Sequence, residues 1–108
     1  MSIRLTKQWL TQEVAADQLA GTLGVYQIAN EQQDVVFIGY AGGKSRFGLK
    51  GEVAEAFQRL PEAVFVRWEV NTAYMSRYKE LLMIHVHDNG QLPLANPPLA
   101  LGQLRPAG

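Results

Sequence analysis

Between residues 74 and 87 the sequence reads Tyr-Met-Ser-Arg-Tyr-Lys-Glu-Leu-Leu-Met-Ile-His-Val-His, and its acidic residue, Glu80, is placed where a charge needs a reason. At helical spacing Tyr74, Tyr78, Leu81, Leu82 and His85 form one apolar stripe, while Met83 and Ile84 lie beside Glu80 at the next turn. A carboxylate on a half-buried face is costly unless it is paired or holds a metal ion. Arg77, one turn earlier, offers the ion pair, a divalent cation offers the other solution, and the pattern leaves both open. A second chemical feature is the run Ala41-Gly42-Gly43-Lys44-Ser45-Arg46-Phe47-Gly48-Leu49-Lys50-Gly51, which sets cations in a glycine-rich loop. Arg46 is always charged and can fork two donors toward a phosphate. Lys44 and the backbone amides of Gly42 and Gly43 can add contacts to the same group. His85 and His87 are not a metal pair, because residues two apart on a helix point about 200° apart. Cysteine is absent, which removes disulfides, thiolate ligands and a cysteine nucleophile.

These side chains need a scaffold, and the pattern supplies one. Thr6 can cap an N-terminal helix whose apolar positions Trp9, Leu10, Val14 and Leu19 are near-helical in spacing and which Gly21 stops. Val25-Tyr26-Gln27-Ile28-Ala29 and Val35-Val36-Phe37-Ile38-Gly39-Tyr40 flank the polar run Asn30-Glu31-Gln32-Gln33-Asp34 and read as a β-hairpin. The glycine-rich loop feeds a short helix over residues 52–60, which ends before Pro61. Residues 64–70 read as a third strand buried on at least one face. Asn71 or Thr72 caps the longest helix, residues 73–87, which Asp88-Asn89-Gly90 ends. Tyr74 and Tyr78 read as packing on its stripe. Pro93, Pro97, Pro98 and Pro106 exclude helix from the tail, which reads as an extended wrap. The expectation is one α+β domain over residues 1–108: an N-terminal helix (1–22), a core (24–96) with a three-stranded antiparallel sheet flanked by helices, and an extended tail (97–108).

Gly24-Val25-Tyr26 and Phe37-Ile38-Gly39, with ten residues between Tyr26 and Phe37, lie in the two strands of the hairpin. Arg46 follows on the loop to the next helix, Glu80 lies in the later helix, and Asn96 ends Leu92-Pro93-Leu94-Ala95-Asn96. This ordered set, covering residues 24–96, resembles the GIY-YIG nuclease family, whose two signature tripeptides occupy adjacent strands. The resemblance implies hydrolysis of DNA phosphodiesters with one Mg²⁺ or Mn²⁺ held by Glu80. It implies that Tyr26 positions the attacking water or takes its proton, that Arg46 clamps the scissile phosphate, and that Asn96 fixes the site through its amide. Such chemistry needs a positioned water, a base and positive charge at the non-bridging oxygens. Phe37 stands where the family most often has tyrosine, and Tyr40, just past Gly39, is the residue that could replace the missing hydroxyl.

Composition bounds what the site can act on. Ten basic residues balance ten acidic ones in 108, so the chain lacks the basic footprint of a stand-alone DNA binder. DNA is the expected partner, bound weakly by this chain alone, with a partner protein supplying affinity. The alternatives are a catalytically weak or inactive module that binds nucleic acid or phosphate on the same fold, and a protein-interaction domain. No apolar run reaches membrane-spanning or signal length, and the reading is of a soluble cytoplasmic protein.

Overall fold

The N-terminal segment departs from expectation. In the computed structural model, which describes residues 4–96, a short strand β1 (Leu10–Thr11) precedes a helix α1 of only seven residues (Gln12–Gln18). Side chains here find better partners on the sheet than along a helix. The Arg67 guanidinium carbon lies 4.0 Å from the Trp9 ring centroid, a cation over an aromatic face. Leu10 and Thr11 pair antiparallel with Val66 and Phe65, which holds the segment extended and makes Thr11, not Thr6, the N-cap. Val14, expected on the buried stripe, is 45% exposed, whereas Ala15 and Leu19 are buried.

The hairpin forms as its composition predicts, with β2 (Gly24–Ala29) and β3 (Val35–Ala41). Its turn is tied by Asn30, whose side-chain oxygen accepts the amide N–H of Gln32 at 3.1 Å and of Asp34 at 2.9 Å. Then follow α2 (Gly48–Arg59), β4 (Phe65–Val70) and α3 (Tyr74–Asn89). Asn71 starts α3 by accepting the Ala73 N–H at 2.8 Å, and Gly90 stops it in the left-handed region at φ 79°. The tail from residue 97 lies outside the described residues. Among those described, no helix is long and apolar enough to cross a membrane.

The sheet is antiparallel with strand order β1-β4-β2-β3, so the three expected strands gain a two-residue fourth, and β3 is an edge. Directly paired residues share a face. Tyr26, Gly39 and Trp68 therefore point to one side, and Val25, Tyr40 and Glu69 to the other. Leu49, Val53 and Ala56 of α2 and Ala15 of α1 pack with Tyr26, Ile28 and Val66 on the first side. Leu81 and Leu82 of α3 pack with Val25, Ile38 and Leu5 on the second. The molecule is an α+β domain with helices on both faces of its sheet.

The signature glycines have a packing reason. A Cβ on Gly39 would fall 2.4 Å from the Tyr26 ring and hydroxyl, and one on Gly24 would fall 2.2 Å from the Glu69 carbonyl oxygen. Gly39→Ala is expected to cost about 1–3 kcal/mol by overpacking. The check is a lower urea midpoint at unchanged denaturant slope.

Candidate functional site

An edge strand leaves a row of backbone groups without a neighbour unless something covers them. Residues 95 and 96 cover the first half of β3. The Ala95 N–H donates to the Val36 carbonyl at 2.9 Å. The Asn96 side chain then behaves as a strand backbone: its Oδ1 accepts the Ile38 N–H at 2.9 Å and its Nδ2 donates to the Ile38 carbonyl at 2.9 Å. Outward groups recur every second residue along an antiparallel edge, so the next pair belongs to Tyr40. No described residue pairs with that N–H or C=O.

A cleft of about 1030 Å³ wraps this uncovered end of the edge. One wall comes from the α2 side: Tyr26, Phe37 and Gly39 of the sheet with Glu52 and Arg59 of α2. The other is aromatic. Tyr40 stacks on Tyr74 with centroids 5.7 Å apart and planes at 11°, and meets Tyr78 at 4.8 Å and 57°. Tyr40 is still 36% exposed. The Gly42–Ser45 loop forms the rim with the exposed Lys44, and Arg59 holds its guanidinium carbon 5.0 Å from the Phe37 ring centroid. The cleft thus offers an exposed phenol ring, a donor–acceptor pair on the Tyr40 backbone that has no partner among the described residues, and two cations.

The structure brings most of the sequence-identified residues to this cleft, but in altered roles. Tyr26, Phe37, Gly39, Tyr40, Gly42, Gly43, Lys44 and Asn96 all line it. Burial pushes the Tyr26 phenol well above its ordinary range, and the Glu52 charge pushes the same way. Such a phenol holds its proton at neutral pH. Tyr40 cannot replace a hydroxyl at Phe37, because the ladder stays regular there and puts the two rings on opposite faces. The amides of Gly42 and Gly43 are not free for a phosphate: Gly42 N–H donates to Ser45 Oγ at 3.0 Å and Gly43 N–H to the Tyr74 hydroxyl at 3.3 Å. Both amide atoms of Asn96 bond the Ile38 backbone, and its side chain is also hydrogen-bonded to Tyr78, which makes it a positioning residue.

Arg46 and Glu80 lie outside the lining. Arg46 is exposed on the rim loop, one residue beyond Ser45. Glu80 points about 200° around α3 from Tyr78, onto the opposite flank. There it forms an ion pair with Arg77, whose Nε also donates to Glu69 Oε2 at 2.9 Å. Of the two solutions for the Glu80 charge, the ion pair is the one found. Glu80 consequently does not fit as the holder of a metal ion acting in the cleft. Among the described residues no group of three or more His, Asp or Glu side chains is placed to hold one either.

Glu69 has a consequence that can be measured. Burial works to raise its pKa, but hydrogen bonds from Arg77 and Asn71 and the Arg77 charge outweigh it, so the carboxylate titrates below its ordinary value. Its contribution to stability is complete above the unfolded carboxylate value and is lost as pH falls through the lower folded value. The urea midpoint is expected to drop between about pH 5 and pH 3, and to drop less in Arg77→Met.

Sequence reasoning missed Glu52 and Arg59. The signal was present, since residues seven apart on a helix share a face, and this pair flanks the aromatic Phe37 once α2 packs on the hairpin. A protein-family model described as a domain of unknown function (DUF7508) matches residues 3–88. That span includes Tyr26, Tyr40, Lys44, Glu52 and Arg59 and stops short of Asn96. No curated protein gave a match.

Proposed function

The chain belongs to the DUF7508 family of domains of unknown function, and from its geometry we propose that it is a binding module for an unpaired nucleotide unit, held in the cleft at the open end of β3. The carrying observation is that an exposed ring, Tyr40, backed by Tyr74 and Tyr78, stands beside backbone groups without a partner among the described residues and within one cleft of Lys44 and Arg59. A base stacks on the ring, since every base has an aromatic face. Its edge meets the Tyr40 N–H and C=O, and its phosphate meets the Lys44 and Arg59 charges. The balanced charge suits this reading better than duplex binding, because two cations neutralise few phosphates. The chain works in the cytoplasm, with a partner protein adding affinity for a longer strand.

Salt tests the size of this footprint. For two phosphates on a single strand, the logarithm of the association constant is expected to fall with the logarithm of salt at a slope of about −1.4. Fluorescence anisotropy with a labelled oligothymidylate gives that slope. A slope several times steeper, or no saturable binding at low salt, would remove this reading.

Metal-dependent cleavage of DNA, the activity implied by the GIY-YIG resemblance, is the second reading. It is favoured by one observation: the two signature tripeptides pair side by side, Tyr26 against Gly39, with Tyr26 opening on the cleft. Dependence on Mg²⁺ separates it from the first.

A further inference from the structure

At the other end of the sheet, on its α3 side, lies a second cavity of about 540 Å³. Arg67 and Gln27 line it, and their pairing is unusual. Gln27 is 6% exposed, and its Oε1 accepts from the Arg67 Nε at 2.7 Å. Because arginine only donates, this bond fixes which way the Gln27 amide faces. The Gln27 Nε2 is left with two donors and no acceptor among the described residues. No side-chain polar atom there is both buried and without a partner. The nitrogen therefore reaches open space, and the cavity is the space its residue lines.

Arg67 repeats the theme. Its guanidinium lies over the Trp9 ring, and beyond Gln27 it has one long contact, Nη1 to the Lys7 carbonyl at 3.4 Å. Among the described residues no carboxylate lies within ion-pair distance of it, although it is partly buried. Of the two acids lining the cavity, Asp88 is taken by Arg4, with Oδ1 2.7 Å and Oδ2 3.0 Å from the guanidinium, and Asp34 is exposed at the rim. Leu5, Val35, Leu81 and Leu92 provide apolar wall. A half-buried cation and an aligned amide donor, both short of acceptors among the described residues, describe the receptor for an oxyanion head on an apolar body.

We propose that this cavity binds a small organic carboxylate, its head group held by Arg67 and Gln27 and its hydrocarbon against Leu5, Leu81 and Leu92, independently of the cleft at β3. The test titrates the whole chain with hexanoate, and in a second arm with inorganic phosphate, following the Gln27 side-chain amide and Arg67 Nε resonances by NMR. Hexanoate is expected to shift both saturably, and phosphate to bind at least tenfold more weakly for want of the apolar contact. Arg67→Lys keeps the charge but not the fork and is expected to weaken hexanoate at least tenfold. Gln27→Glu supplies an internal carboxylate to Arg67 and is expected to abolish binding while the chain stays folded. Phosphate binding as tightly as hexanoate, absence of saturation, or undiminished binding in Gln27→Glu would each overturn the proposal.

Discussion

Asn96→Ala is expected to lower stability by about 2–4 kcal/mol, a large effect for a residue at the end of the described chain. The native side chain closes two hydrogen bonds on one backbone unit, Ile38, at a position 6% exposed. Truncation removes both partners at once and leaves a buried N–H and C=O without acceptor or donor, at about 1–3 kcal/mol each before water repairs part of the loss. The midpoint of thermal unfolding should fall by roughly 10–20 °C. Asn96→Gln, one methylene too long to meet both groups, should recover little. A loss below about 0.5 kcal/mol would show that residues 95 and 96 do not clamp the edge strand.

Tyr40→Ala is expected to weaken an unpaired oligonucleotide roughly 5- to 150-fold, the worth of about 1–3 kcal/mol for one stacked base. The same substitution should cost little stability, since Tyr40 is more than a third exposed and the apolar core beneath α3 is carried by Leu81 and Leu82. Tyr40→Phe keeps the ring and should bind nearly as well. Lys44→Ala should act differently, lowering affinity mainly at low salt and flattening the salt dependence. Equal binding by wild type and Tyr40→Ala, measured by anisotropy, would exclude this ring as the platform.

How far the sequence could carry these conclusions depended on the range of the interactions involved. The hairpin and α3 are legible because their signals are local: a polar turn between β-rich runs, an Asn71 side chain that bonds the Ala73 amide just before the helix, a Gly90 stop, although the N-cap itself is Ala73 and not Asn71 or Thr72. The segment from Thr6 to Thr11 misled because Trp9 and Leu10 answer to Arg67 and Val66, far away in sequence, and not to their helical neighbours. The candidate site divides in the same way. Of the ordered motif, Tyr26 and Asn96 reach one cleft while Arg46 and Glu80 lie outside its lining, and the surroundings of Tyr26 and Asn96 are set by burial and by β3 being an edge, which no motif states. Glu80 was read correctly as a carboxylate needing a partner. Which partner it takes depends on the rotation of α3 about its axis, and that rotation follows from packing Leu81 and Leu82 against Val25 and Ile38.

The most direct test of the binding reading is a single titration of labelled oligothymidylate into the purified chain, run with Mg²⁺ and with EDTA, each sample then resolved by length. The expected result is saturable binding of the same affinity in both, lost in Tyr40→Ala, with the oligonucleotide intact. Shortened product that appears only with Mg²⁺ and disappears in Glu80→Gln would contradict it.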